Sequence, residues 1–134
     1  MRIIIFDLFD TLLDKVWFDY DKGLSYLTDK YFDHKLNKLK LYAEEYRERF
    51  MLDRNETQRE KSFVDQLAFY ENKFGKKLLK SHDDVEWEVF SVCREERLAV
   101  GAKSLLDYLL GRGYTLAVLS NSIFSSKTLK KHLE

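Results

Sequence analysis

The sequence predicts an α/β fold in which a long helical segment is inserted into a small parallel sheet. Two short apolar runs, residues 2–6 and residues 114–119, are typical of strands buried in a parallel sheet. Between them, apolar side chains recur three and four positions apart, which is the spacing of amphipathic helices. Two such strands separated by helices indicate an α/β core into which a helical layer is inserted.

The first strand is expected at residues 2–6, which read RIIIF. β-Branched and aromatic side chains favour the extended conformation, and an unbroken apolar run is typical of a strand buried on both faces. Asp7 ends the run. The first strand therefore delivers a carboxylate to its own carboxyl end.

The second strand is expected at residues 114–119, which read YTLAVL. A helix with leucines at helical spacing precedes it and is expected to stop at Gly111. The strand ends in a polar turn that begins at Ser120. Leu129 and Leu133, four residues apart, predict one more helix that closes this core.

The segment of residues 15–99 contains no convincing strand and is expected to form three or four helices. One helix is expected to begin near Ser81, whose hydroxyl and Asp84 three residues later resemble a capping pair. Packed together, the helices predict a small bundle. The stripes that would form its core are Leu36, Leu39, Ala43, Tyr46 and Phe50; Phe63, Leu67, Tyr70 and Phe74; and Val85, Val89 and Val92.

Composition argues against two classes of partner. Lys plus Arg and Asp plus Glu both total 23, so the formal net charge is zero, and no basic surplus favours nucleic acid or an anionic membrane. Cys93 has no second cysteine to pair with and is expected to be a packed apolar residue. The apolar runs are too short to cross a bilayer, and the first residues do not resemble a signal peptide. We therefore expect a cytoplasmic enzyme without nucleic-acid or membrane partners.

Polar side chains follow both predicted strands. Asp7 comes directly after the first strand and Ser120 directly after the second. At the carboxyl ends of parallel strands, helix N-termini and loop amides point their donors at anions. An aspartate there can be a nucleophile toward phosphorus or carbon, a metal ligand or a helix cap, and a serine hydroxyl can donate to a phosphoryl oxygen. The two residues indicate a site for a small-molecule substrate and leave the roles open.

Together, residues 3–14 (IIIFDLFDTLLD) and residues 116–122 (LAVLSNS) resemble the first and second motifs of the haloacid dehalogenase (HAD) superfamily. The order of segments resembles the members that carry a helical cap inserted after the first motif. The resemblance implies a Rossmann-like parallel-sheet core made of residues 1–14 and 100–134, which is incomplete, and a helical cap made of residues 15–99. It covers the whole chain.

The resemblance also implies roles for individual residues. Asp7 is the implied nucleophile, which forms a covalent aspartyl intermediate. Ser120 would hold the transferring group, and Asn121 would shape that loop and contact the substrate. The Asp7 carboxylate and the backbone carbonyl of Phe9 would bind Mg²⁺, the implied cofactor. The implied function is a HAD-like hydrolase, foremost a phosphatase that acts on a small phosphorylated metabolite.

The position two residues after the nucleophile departs from the family pattern. Family phosphatases place a second aspartate there, which protonates the leaving oxygen; this chain has Phe9. Asp10 follows where the family commonly has glycine, and it is the candidate to replace the missing acid. Family dehalogenases also lack an aspartate at that position, because a leaving halide needs no proton. A 2-haloacid dehalogenase is therefore the alternative enzyme.

A second departure concerns positive charge. The family's third motif is a lysine that neutralises nucleophile and phosphate, and its fourth is an acidic metal-binding pair; Glu134 comes before both. We expect Lys127, Lys130 and Lys131 to form a solvated helix face instead. Phosphoryl transfer depends on electrostatic stabilisation, so these 134 residues alone are expected to have little activity. The non-enzymatic alternative is an incomplete HAD-like domain whose sheet edges pair with another chain or a second copy.

Overall fold

The computed structural model describes residues 1–58 and 61–134 and has a mixed α/β architecture, which confirms the predicted class. Across these residues six helices accompany four short strands. In chain order the elements are β1 (Ile3–Phe6), β2 (Leu13–Phe18), α1 (Tyr20–Tyr31), α2 (Leu36–Thr57), α3 (Phe63–Phe74), α4 (His82–Cys93), β3 (Arg94–Leu98), α5 (Ala102–Gly111), β4 (Thr115–Val118) and α6 (Ser126–Leu133).

Contacts divide the chain into two compact units. The first, called the α/β unit, contains residues 1–18 and 94–121. The second, called the helical unit, contains residues 19–93 and 122–134. The chain therefore passes from the α/β unit to the helical unit after β2 and returns at β3. The domain boundaries implied by the HAD resemblance stay a prediction.

A two-stranded parallel sheet forms the centre of the α/β unit. β1 and β4 pair in register from Ile3 opposite Thr115 to Phe6 opposite Val118. α5 packs against β4. Gly113, between them, has a φ of +82°, a conformation that glycine adopts without steric cost. Both predicted strands and the helix before the second are confirmed.

The prediction that β1 is buried on both faces is wrong. Ile3 and Ile5 share one face of the sheet, and they are 54% and 62% exposed. Ile4 and Leu116, on the opposite face, are half-buried. α6, which the sequence predicts as a further helix of this core, packs against α4 in the helical unit instead. One face of the parallel sheet is therefore open to solvent in the part of the chain that the structure describes.

β2 and β3 form a second, antiparallel pair in the α/β unit. The register runs from Leu13 opposite Leu98 to Phe18 opposite Arg94. The expectation that residues 15–99 contain no strand is thus wrong at both ends of that segment. The two strands read LDKVWF and REERL, so charged side chains interrupt any apolar run. An antiparallel ribbon with a solvated face does not need such a run.

The helical unit contains α1 to α4 and α6, and it holds most of the buried apolar side chains. The stripes predicted on α3 and α4 are largely confirmed, whereas on α2 Leu39 is buried and the other four stripe residues are half-buried. Cys93 is also buried, as predicted. No helix among the described residues combines the length and apolar character needed to cross a membrane. The buried stripe residues of α3 and α4 are Phe63, Leu67, Tyr70, Val85 and Val89.

Local capping signals set the bounds of two of these helices. The Ser62 hydroxyl accepts a hydrogen bond from the Asp65 amide, and the Asp65 carboxylate accepts one from the Ser62 amide, which forms a capping box at the start of α3. Gly75 ends that helix with a φ of +63°. At the start of α4 the Asp84 amide donates to the Ser81 hydroxyl at 3.2 Å. The predicted start of this helix is therefore confirmed.

Candidate active site

The candidate site lies where β1 and β4 end. Phe6 and Val118 are the last paired residues of the two strands, and the Leu119 amide still donates to the Phe6 carbonyl at 2.9 Å. Because the strands run parallel, Asp7 and Ser120 leave the sheet at the same edge. Asn121 follows in the same loop. This edge is where an open parallel sheet presents its ligand-binding groups.

A tight turn after Asp7 fixes the path of the chain. The Leu8 carbonyl accepts hydrogen bonds from the amides of Thr11, Leu12 and Leu13 at 3.4, 3.0 and 3.0 Å. Leu8, Leu12 and Leu13 are all buried. The turn is therefore anchored by three leucines, while Asp7 itself is exposed.

Thr11 is a member of this site that sequence reasoning missed. Its hydroxyl donates to Asp7 Oδ2 at 3.1 Å. A hydrogen bond to a charged acceptor is stronger than a neutral one, and it restricts the rotation of the carboxylate. The hydrogen bond therefore makes the two carboxylate oxygens of Asp7 unequal, because it engages Oδ2. In the sequence, the only sign of this contact is a hydroxyl residue four positions after Asp7. That spacing indicates a hydrogen bond only when the tight turn between the two residues is known.

Asp10 takes part in the same turn with an unusual backbone. Its φ is +60°, in the left-handed region that favours glycine and that aspartate tolerates better than most residues. Its amide donates to the Leu13 carbonyl at 2.8 Å, and its side chain is exposed. The aspartate therefore occupies a glycine-like position. Its role as the replacement acid stays a prediction.

Phe9 brings an apolar ring, half-buried, to the position of the family's second aspartate. The guanidinium carbon of Arg94 lies 4.1 Å from the centre of this ring. An arginine over an aromatic face is a favourable cation–π contact. Within the described residues, the charged group that contacts the Phe9 ring is therefore the guanidinium of Arg94, a cation from β3.

The implied Mg²⁺ ligands have suitable chemistry but are few. The Asp7 carboxylate and the Phe9 carbonyl are hard oxygen donors, and Mg²⁺ commonly binds one or two carboxylates while keeping waters and substrate phosphate as other ligands. No cluster of three or more His, Cys, Asp or Glu side chains suited to a metal ion occurs in residues 1–58 and 61–134. The donor set fits an Mg²⁺ ion that substrate and water help to hold.

The chain matches no family model, no curated protein and no solved structure.

The resemblance to the HAD superfamily therefore depends on the residues around the two strand ends. The lysines of α6 belong to the helical unit. Lys127 pairs with Asp83 at 3.1 Å, and Lys131 lies over the ring of Trp87 at 4.7 Å. Lys127, Lys130 and Lys131 are all exposed, which confirms the predicted solvated face of this helix.

Proposed function

We propose that the chain is a HAD-like hydrolase, foremost a phosphatase that acts on a small phosphorylated metabolite through an aspartyl intermediate at Asp7. The observation that supports it best is the shared edge of the parallel strands, where Asp7 and the Ser120–Asn121 loop emerge together. A carboxylate and a hydroxyl at that edge can supply the nucleophile and a hydrogen-bond donor for phosphoryl transfer.

In this proposal the reaction takes two steps at Asp7. Oδ1 attacks phosphorus, an Asp7–phosphoryl bond forms, and the bond to the leaving alcohol oxygen breaks; the alcohol then takes up a proton. Water next attacks the acyl phosphate, which releases inorganic phosphate and restores the carboxylate. The Thr11 hydroxyl holds Oδ2 throughout, and the Ser120 hydroxyl donates to a phosphoryl oxygen.

Bound Mg²⁺ would supply positive charge that stabilises the phosphoryl oxygens. Asp7 and the Phe9 carbonyl would hold it from the protein side. Phe9 cannot donate a proton, so an alcohol with a high pKa would leave slowly unless Asp10 or water protonates it. We therefore expect activated substrates, such as an acyl phosphate or an aryl phosphate, to react best.

Parallel assays of phosphate and halide release, each with Mg²⁺ and with a chelator, test this proposal. A phosphatase should release phosphate only when Mg²⁺ is present, and Asp7→Asn should abolish the release because the amide is not a nucleophile. Asp10→Asn is the matched control in the same turn; it should slow poor leaving groups and spare activated ones. Retained phosphate release by Asp7→Asn would refute the nucleophile assignment.

A 2-haloacid dehalogenase is the second enzyme candidate, and Phe9 is the observation that favours it. Carbon–halogen cleavage by Asp7 would need no general acid, and it would proceed without Mg²⁺. Halide release that persists in chelator, with no phosphate release, would replace the phosphatase by this candidate.

The open face of the sheet favours a different kind of function, an incomplete domain that another chain completes. Of the seventeen large apolar side chains found exposed among the described residues, twelve belong to the α/β unit. Parallel sheets are normally covered on both faces, and exposed strand edges recruit other strands. The apolar surface of this chain is thus concentrated where a further strand or helix could pack.

Light scattering across a range of concentrations tests that second candidate. The wild-type chain should be heavier than a monomer, and Ile5→Lys should shift it toward the monomer by placing a charge on the open face. Leu52→Lys is the control, because Leu52 is similarly exposed, at 66%, but lies in the helical unit. A wild-type chain that stays monomeric at high concentration would count against this candidate.

A further inference from the structure

The Arg94 side chain lies between two aromatic rings of the α/β unit. Its guanidinium carbon is 4.1 Å from the centre of the Phe9 ring and 5.5 Å from that of Phe18. Arg94 is the first residue of β3 and pairs with Phe18, the last residue of β2. The contact thus joins the turn after Asp7 to the two strand ends where the chain leaves and re-enters this unit.

Glu96 holds the guanidinium in this position. Arg94 Nε donates to Glu96 Oε1 at 2.7 Å, and a terminal nitrogen of the guanidinium pairs with the same oxygen. The Arg94 and Glu96 side chains are 12% and 1% exposed. Glu96 Oε2 is buried and accepts no hydrogen bond from the described residues. A carboxylate this buried depends on its cation, so moving Arg94 away would be costly.

Phe9 is the residue of the turn that the Arg94 guanidinium contacts. The backbone of Phe9 pairs with Leu13 across the turn, between Asp7 and the start of β2. The Arg94 guanidinium, fixed by Glu96, restricts the rotation of the Phe9 ring. It thereby restricts the Phe9 backbone, because the side-chain and backbone torsions of one residue are coupled. Arg94 therefore acts on Asp7 through Phe9 rather than by touching the carboxylate.

We propose that Arg94 is a positioning residue: stacked on Phe9 and clamped by Glu96, it keeps residues 7–13 in the conformation from which Asp7 reacts. The expected effect of Arg94 on the reactivity of Asp7 rests on the function proposed above. Its effect on the order of residues 7–13 does not rest on that function, so the two effects can be tested separately.

Backbone amide hydrogen exchange measures the ordering directly. The Leu12 and Leu13 amides are bonded to the Leu8 carbonyl inside the turn, whereas the Leu119 amide is bonded to Phe6 between the strands. In Arg94→Met, which keeps an apolar stem, exchange of the two turn amides should rise by at least about tenfold, because the variant loses a partly buried cation–π contact and leaves the buried Glu96 carboxylate without its cation. Exchange of the Leu119 amide should change less than about twofold.

Two further variants distinguish loss of the Arg94–Phe9 contact from general destabilisation of the α/β unit. Phe9→Leu should accelerate the same turn amides, and the Phe9→Leu, Arg94→Met double variant should exchange no faster than the faster single variant, because both remove one interaction. Arg97→Met is the matched control, since Arg97 is exposed on the same strand. Equal acceleration of turn and Leu119 amides, or additive single effects, would overturn the proposal.

Phosphorylation of Asp7 by acetyl phosphate, followed by mass spectrometry of the intact protein, tests whether the order of the turn affects the reactivity of Asp7. Arg94→Met should label about tenfold more slowly than wild type, and Arg94→Lys should not restore the rate, because an ammonium lacks the planar stacking group. Labelling of Arg94→Met at the wild-type rate would refute the positioning role. Wild-type protein that takes no label while the exchange results hold would refute the proposed function and leave the positioning of the turn intact.

Discussion

Replacing Glu88 by glutamine should destabilise the helical unit at neutral pH and have almost no effect near pH 2. The Glu88 carboxylate accepts hydrogen bonds from the hydroxyls of Tyr26 and Tyr31 at 3.0 and 2.5 Å. The Lys80 ammonium donates to it at 2.5 Å, and Lys30 lies 3.6 Å away. The side chain is 17% exposed, so solvent screens these contacts only in part.

The magnitude follows from the pKa of Glu88. Burial alone would raise this pKa, but the hydrogen bonds from Lys80, Tyr31 and Tyr26 and the charge of Lys30 outweigh burial and lower it from 4.5 to about 2. A carboxyl with a lowered folded-state pKa stabilises the fold above its unfolded pKa, and that contribution disappears as the pH falls through the folded value. The shift corresponds to about 3 kcal/mol at neutral pH. Because glutamine keeps an acceptor for the tyrosines, we expect a loss of about 2 kcal/mol.

Urea unfolding followed by far-ultraviolet circular dichroism, at several pH values between 7 and 2, provides the assay. The difference in unfolding free energy between wild type and Glu88→Gln should be largest above pH 5 and should shrink steadily below pH 4.5. Glu44→Gln, on the exposed surface of α2, should differ little from wild type at any pH. A Glu88→Gln deficit that is the same at pH 7 and pH 2 would refute the electrostatic reasoning.

Two further predictions concern backbone strain and packing. Asp10→Gly should raise the free energy of unfolding and Asp10→Ala should lower it, each by up to about 1 kcal/mol in thermal unfolding experiments, because φ is +60° there. The reverse order would contradict a strained turn. Gly23→Ala should cost about 1 kcal/mol in chemical unfolding, since the new Cβ would lie 3.0 Å from Val89 Cγ1 and 3.4 Å from Cys93 Cβ. Gly111→Ala meets nothing within 4 Å and should stabilise by up to about 1 kcal/mol; equal effects at the two glycines would contradict the packing argument.

The parts of the fold that depend on local apolar pattern could be predicted from the sequence. β1 is a short unbroken apolar run, β4 is apolar after Thr115, and α3 carries its stripe between a serine cap and Gly75. β2 and β3 could not be predicted, because their sequences are rich in charged residues and look helical or irregular on their own. They form strands because they pair with each other. Strand pairing between distant segments leaves no periodic signal in either one.

The position of α6 was mispredicted for a similar reason. Its leucine spacing indicates a helix but does not say against which surface the helix packs. The buried carboxylate of Glu86 accepts hydrogen bonds from the amide and hydroxyl of Ser125, the N-cap of α6, at 2.8 and 2.6 Å. The Phe124 ring packs edge-on against Phe90 of α4. These contacts attach α6 to the helical unit.

In the candidate site, the sequence predicts the groups that end strands and misses the groups that orient them. Asp7 and Ser120 follow apolar runs and could be found by pattern. Thr11 reaches Asp7 only because the turn folds back, and Arg94 reaches Phe9 only because β3 pairs with β2. Such contacts depend on tertiary geometry, which is why sequence patterns indicate the residues at strand ends more readily than the residues that contact them.

The most direct test of the account is a search for the covalent intermediate. Wild-type protein treated with acetyl phosphate and Mg²⁺, quenched in acid and digested, should carry one phosphoryl group on the peptide that contains Asp7, as mapped by mass spectrometry. Asp7→Asn should carry none, while Asp10→Asn should still be labelled. A label on another residue, or none on the wild type, would contradict Asp7 as the nucleophile.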